Sequence, residues 1–170
     1  MQSQLSVDSP TCTPSTKHLD WIEKAATENL RAHLATSELL LNQANQLLNI
    51  LLAGMAGAMA YGVKIFESDA TPLAYGVATL AAWLAVGSVV VVAKCITTRE
   101  TQMLFNEPQN LLLGASVRIS ELKRLELLNM QTRIDHTKIR NRLVAKWLDR
   151  CRYSAALSPL AFSAGAWIAS

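Results

Sequence analysis

A chain of 170 residues with 51% hydrophobic and only 17% charged side chains leans towards lipid as solvent, and its length suits one domain or a membrane module with a small cytosolic extension. Its net charge of +3 hides an asymmetry: residues 1–42 carry a balance of −2 and residues 94–152 a balance of +6. Three cysteines, Cys12, Cys95 and Cys151, are far apart, odd in number and in no metal-ligand spacing. That pattern speaks against a disulfide framework or a zinc site and for inert thiols in a reducing compartment.

Residues 1–16 are rich in Ser, Thr, Gln and Pro without apolar periodicity and read as a disordered tail. The first basic residue is Lys17 and the first apolar block starts near Leu47, too late for a cleavable export signal. From Lys17 the pattern changes. Leu19, Ile22, Ala26, Leu30, Leu34, Leu41, Ala44 and Leu48 recur at helical spacing, and no Gly or Pro intervenes before Gly54. Residues 17–46 are therefore an amphipathic helix, with Thr16 as its N-cap, running on into a first apolar span.

The hydrophobic hairpin occupies residues 47–93. No charge lies between Leu47 and Val63 or between Ala70 and Ala93, so segments 47–66 and 72–93 each reach the roughly 20 residues that a crossing helix needs. Lys64 extends the first by carrying its ammonium to the interface. Gly54, Ala58 and Gly62 repeat every four residues and form a helix-packing face, because close backbone approach is a main source of attraction between helices in lipid. Asn42, Asn45, Gln46 and Asn49 form an amide ladder on another face, continued by Ala53, Ala56 and Ala60. The ladder packs helices together or lines an aqueous path in an oligomer; Asn49 needs a partner in either case.

The short loop 67–71 leads to Pro72, which a helix tolerates in its first turn. Trp83 falls near mid-depth of the second span, away from the interfacial belt, and reads as core packing. Lys94 and Arg99 follow that span directly, which puts its end, and by the even number of crossings the N-terminal segment, in the cytoplasm. The loop 64–71, with Glu67 and Asp69, faces out.

Residues 94–152 are a basic cytosolic helical region. The helix is expected to continue through residues 97–106, break at Pro108, and resume over 109–152. Met130, Ile134, Thr137, Asn141, Val144 and Leu148 alternate spacings of four and three, as in a helix packed along a partner helix. Residues 153–170 are again uncharged, preceded by Arg150 and Arg152, and hold Leu157, Leu160, Phe162, Trp167 and Ile168. They are a third span or, given Pro159, Gly165 and their serines, an interfacial or oligomer-buried helix. The fold class expected is all-α: a transmembrane helical hairpin with long cytosolic helices, multi-pass in a bacterial inner membrane.

No motif for a reaction survives inspection. Ser120 and Lys123 have the spacing of a nucleophile and its lysine, but the accompanying elements of such a site are missing. Asp135 and His136 lack a second acid or an oxyanion element and fit a solvated helix face. His18, His33 and His136 are scattered, and no Gly cluster sits between a strand and a helix to cradle phosphate, so no cofactor or metal is expected. The basic run, with Arg133, Lys138, Arg140 and Arg142 as its ligand-facing candidates, has three readings: anchoring on anionic lipid, binding a nucleotide second messenger or an acidic protein, and, least of all, long nucleic acid, since aromatic interleaving is lacking.

The helix before a tight hairpin, the spans 47–66 and 72–93 and the helical region 97–152 together resemble the SLATT-type, two-transmembrane effectors of bacterial anti-phage systems. The resemblance lies in element order and carries no residue over. It implies that a signal sensed by the helical part or a partner drives oligomerisation, and that the membrane part then breaches the inner membrane. The expectation is a non-enzymatic homo-oligomer that perturbs membrane integrity. Its rivals are a membrane anchor or exclusion-type factor recruiting a partner through residues 109–152, and a phage holin-like protein, against which the long segment 94–152 argues.

Overall fold

A computed structural model describes residues 16–66, 71–97 and 118–170, all of them helical or in short connections, with no strand among the described residues. Expectations for the N-terminal tail, Cys12, the loop after the first span, the break at Pro108 and the start of the basic helix fall outside these residues.

Helix α1 runs unbroken over Thr16–Phe66, about 76 Å at 1.5 Å per residue. Helix α2 covers Thr71–Val91 and closes in a widened π turn, Val92–Ile96. At Thr97 the backbone leaves helical geometry (φ −49°, ψ 120°), and both its N–H (2.9 Å) and its hydroxyl (2.8 Å) donate to the Val92 carbonyl. The helix ends at Ile96, these two hydrogen bonds closing its last turn on the Val92 carbonyl, and the expected continuation over residues 98–106 lies outside the described residues. Helix α3 spans Ile119–Ala156, with Glu121 in its first turn, where the helix dipole favours an acid. Helix α4 spans Ser158–Ile168.

The hairpin is antiparallel, and its register is visible where glycines let α1 and α2 approach. A methyl group on Gly54 would come within 3.2 Å of Leu84, one on Gly62 within 3.4 Å of Val77, and one on Gly87 within 3.6 Å of Leu51. Helix α3 instead lies parallel to the first half of α1. Lys123 pairs with Asp20 and with Glu23 (3.2 Å), the Asn141 amide donates to the His33 carbonyl (2.8 Å), and Arg152 donates to Gln43 (3.0 Å).

Three apolar clusters follow one another along this frame. Leu30, Met130 and Ile134 fill the first. The second joins three elements: Ala44, Leu47 and Leu51 of α1, Leu84, Val91 and Cys95 from α2 and its terminal turn, and Leu148 and Cys151 of α3. The third, Ala58, Ile65, Ala74 and Val77, is covered by Phe162 of α4. Between the first two, Thr137 and Asn141 of α3 are buried, the latter on the His33 carbonyl, and His33 and Ser37 of α1 are half-buried.

Residues 153–170 do not form one continuous helix. Pro159 has no N–H for the Ala155 carbonyl, and the chain turns at Leu157, whose N–H bonds to Tyr153 (3.1 Å) and Ser154 (3.2 Å). Helix α4 has 11 residues, about 17 Å, too short to cross hydrocarbon by itself. It stacks against α2, running antiparallel to it. A methyl group on Gly165 would meet Thr79 Cβ at 2.7 Å and the Tyr75 carbonyl at 3.0 Å, and one on Gly76 would meet Phe162 at 3.0 Å. Among the described residues two helices, α1 and α2, are long and apolar enough to cross a membrane.

Candidate functional site

Where α1 and α2 are most apolar they are also least covered. Only 22% of the apolar stretch of α1 and 28% of that of α2 is buried within the chain, and Ile50, Val63, Val86 and Val89 are each more than 60% exposed. A core helix of a water-soluble fold would be mostly buried, whereas an uncovered apolar belt asks for lipid or another protein.

The two sequence-marked faces of α1 differ: one meets α2 and the other meets no described residue. Gly54, Ala58 and Gly62 face α2 of the same chain: Ala58 is buried and each glycine touches an α2 side chain as above. That face closes the hairpin at the buried Ala58 and Gly62, while Gly54 stays exposed beside Leu84. The amide ladder lies roughly opposite. Asn42, Asn45, Gln46 and Asn49 are exposed, and their side chains make no hydrogen bond to another described residue. Below them Ala53, Ala56, Gly57 and Ala60 are exposed too, and a methyl group on Gly57 would meet nothing within 4 Å. The outward face is thus polar at one end, small-residued at the other, and unpartnered throughout.

The basic candidates on α3 do not converge. Arg133 and Arg140, two turns apart, are half-buried, while Lys138 and Arg142, one turn apart, are exposed on the other flank of the α1-facing seam. Arg133 Nη1 lies 3.5 Å from Glu126 Oε1 in an ion pair without hydrogen-bond geometry. The Ser120–Lys123 spacing is taken up structurally. Lys123 ties α3 to α1, and its hydrogen bonds to Asp20 and then Glu23 hold its ammonium above the ordinary lysine range. Asp135 accepts from Gln131 at 3.2 Å, and His136 is exposed. Among the described residues no group of His, Cys, Asp and Glu could hold a metal ion.

Two features carried no sequence signal. Trp83 donates its indole N–H to the Ser154 carbonyl at 3.0 Å, a carbonyl at the frayed end of α3. The bond gives the polar edge of an exposed indole a partner on α3 and ties α2 to the end of that helix. The second feature surrounds Trp147, a half-buried side chain at the base of α3. Lys94 Nζ lies 5.6 Å and Arg150 Cζ 5.0 Å from its ring centroid. The alternation of four and three along α3 marks its buried seam; only the fold brings Lys94, from the end of α2, to the flank of that seam.

No protein-family model matches the chain, and neither a curated protein nor a solved structure does.

Proposed function

We propose that this chain is a membrane-embedded protein that assembles with copies of itself through the outward face of α1 and thereby alters membrane integrity, in the manner of a small effector. The uncovered apolar belt of α1 and α2, continuous with an unpartnered amide and small-residue face, carries the reading. In the hairpin register Lys64 stands level with Tyr75 and Asn45 level with Lys94. Each pair of boundaries is 19 residues apart, about 28 Å along a helix and close to the roughly 30 Å of hydrocarbon. Asn42, Asn45 and Gln46 then sit at headgroup depth and Asn49 a turn deeper, where an amide needs a hydrogen-bonding partner. Primary amides donate and accept, so a second copy of the strip satisfies the first.

The tail belongs to the same membrane unit. From Arg150 to Trp167 the chain rises about 26 Å beside α2, with α4 against Tyr75, Gly76 and Thr79. The last turn of α3 and α4 together make a third crossing in two pieces. The basic length of α3, with α1 beside it, faces the cytoplasm of a bacterial cell.

Purified protein in dye-loaded vesicles tests the proposal. Wild-type chain is expected to crosslink into oligomers and release dye, and Asn49→Leu to reduce release. If Asn49→Leu also lowers crosslinking, the amides hold copies together; if crosslinking persists, they line the path. A chain that inserts, stays monomeric at high density and leaves vesicles sealed would overturn assembly. An anchor presenting the exposed Lys138 and Arg142 to a partner would then take its place.

A further inference from the structure

We infer that Lys94, Trp147 and Arg150 form a binding site for the phosphate of an anionic phospholipid at the cytoplasmic boundary of the membrane unit. The inference rests on the membrane reading above and adds to it a ligand class and a place.

Two cations from different elements meet on one indole. Lys94 comes from the π turn that closes α2, Arg150 from the last turns of α3, and both lie within 6 Å of the Trp147 ring centroid, the range of a cation–π contact. Both are exposed, and among the described residues neither has a carboxylate partner. Their neighbour Arg152 differs: it is engaged by Asp149 at 3.5 Å and by Gln43 at 3.0 Å. Neither charge is compensated by a carboxylate, so an anion within reach of both would offset their mutual repulsion.

The position chooses the anion. Trp147 sits at the rim of the apolar junction cluster, with Leu148 and Cys151 buried beside it, and the uncovered apolar flanks of α2 begin one turn from Lys94. A phosphate bonded to Lys94 and Arg150 would therefore carry its acyl chains down an apolar wall. A lipid satisfies both halves; a free phosphate satisfies only the polar one. By contrast Lys138 and Arg142 lie two to three turns higher, about 12–18 Å above Arg150, beyond one Debye length at physiological salt.

The full chain in phosphatidylcholine vesicles, probed with trace spin-labelled phosphatidylglycerol or phosphatidylcholine, decides the matter. Wild type is expected to restrict the anionic label several-fold more than the neutral one. The double variant Lys94→Gln/Arg150→Gln should lose that preference while restricting the neutral label as before, which also reports that it is folded and inserted. Lys138→Gln/Arg142→Gln, with the same change of charge, should keep the preference. Equal losses in the two variants would mean a diffuse field and overturn the site, as would a wild type without preference. Abolition of the preference by soluble glycerol phosphate, at an ionic strength where chloride leaves it intact, would assign the site to a free phosphate and overturn the lipid. Failure to restrict either label would overturn the membrane reading itself.

Discussion

Single glycines in this chain carry opposite instructions according to what stands opposite them. Gly165 and Gly76 let α4 and α2 touch backbone to side chain, so Gly165→Leu has no room and is expected to displace α4, seen as faster proteolysis of the C-terminal segment in detergent. Gly57 looks into open space. Gly57→Leu is expected to leave unfolding in detergent unchanged and to lower crosslinking between copies, because it fills the proposed contact face. A mutant that unfolds early but still crosslinks would reverse the assignment of the two faces. Trp83 offers a further residue-scale test. Trp83→Phe keeps the ring but removes the bond to Ser154, and a loss of about 0.6–2 kcal/mol is expected in reversible unfolding, the range for interhelical hydrogen bonds in lipid.

Helix α3 is an element whose seam was legible and whose surface was not. Met130, Ile134, Thr137, Asn141, Val144 and Leu148 repeat as a packed helix must, and all but the half-buried Val144 are buried. Periodicity reports the face that leaves water, so it reads well from sequence. The partner of that face is a different matter. The spacing names neither α1 nor the parallel direction, which depends on where α2 ends and the chain returns. The same limit applied to Gly54, Ala58 and Gly62: four-residue spacing announces close packing, but only the hairpin register says that α2 of the same chain is the neighbour. Within the seam, Leu148→Ala opens a cavity where three elements meet and is expected to cost about 2–5 kcal/mol in unfolding. Asn141→Leu should range from neutral to about 1 kcal/mol stabilising, since the His33 carbonyl keeps its place in the α1 ladder. Its cost is expected in register, read as altered Lys123–Asp20 proximity, because a lone polar pair inside an apolar seam fixes alignment better than it adds stability.

At the scale of the whole molecule, the proposed three-helix membrane unit has a definite polarity: the paired lengths of α1 and α3 on one side and the C-terminus on the other. A periplasm-active phosphatase fused after Ser170 is expected to be active and the same enzyme fused at Arg152 silent; silence at both would mean that α4 does not carry the chain across. The two apolar stretches of the hairpin were plain in the sequence because a water-facing helix seldom runs for about 20 residues without a charge. The tail was ambiguous because its apolar run is interrupted, and it depends on α2 for a partner.

The unbroken course of α1 has a mechanical consequence. No proline or glycine interrupts it between Lys17 and Leu52, so the length gripped by α3 and the length bearing the amide strip are one stiff rod. In the proposed assembly, turning the α3-paired end about its axis would swing Asn45, Gln46 and Asn49 through the same arc, away from or towards a neighbouring copy. The bond from Asn141 to the His33 carbonyl keys α3 to that shaft. In the proposed assembly it is the place where a torque on α3 would pass to the amide strip.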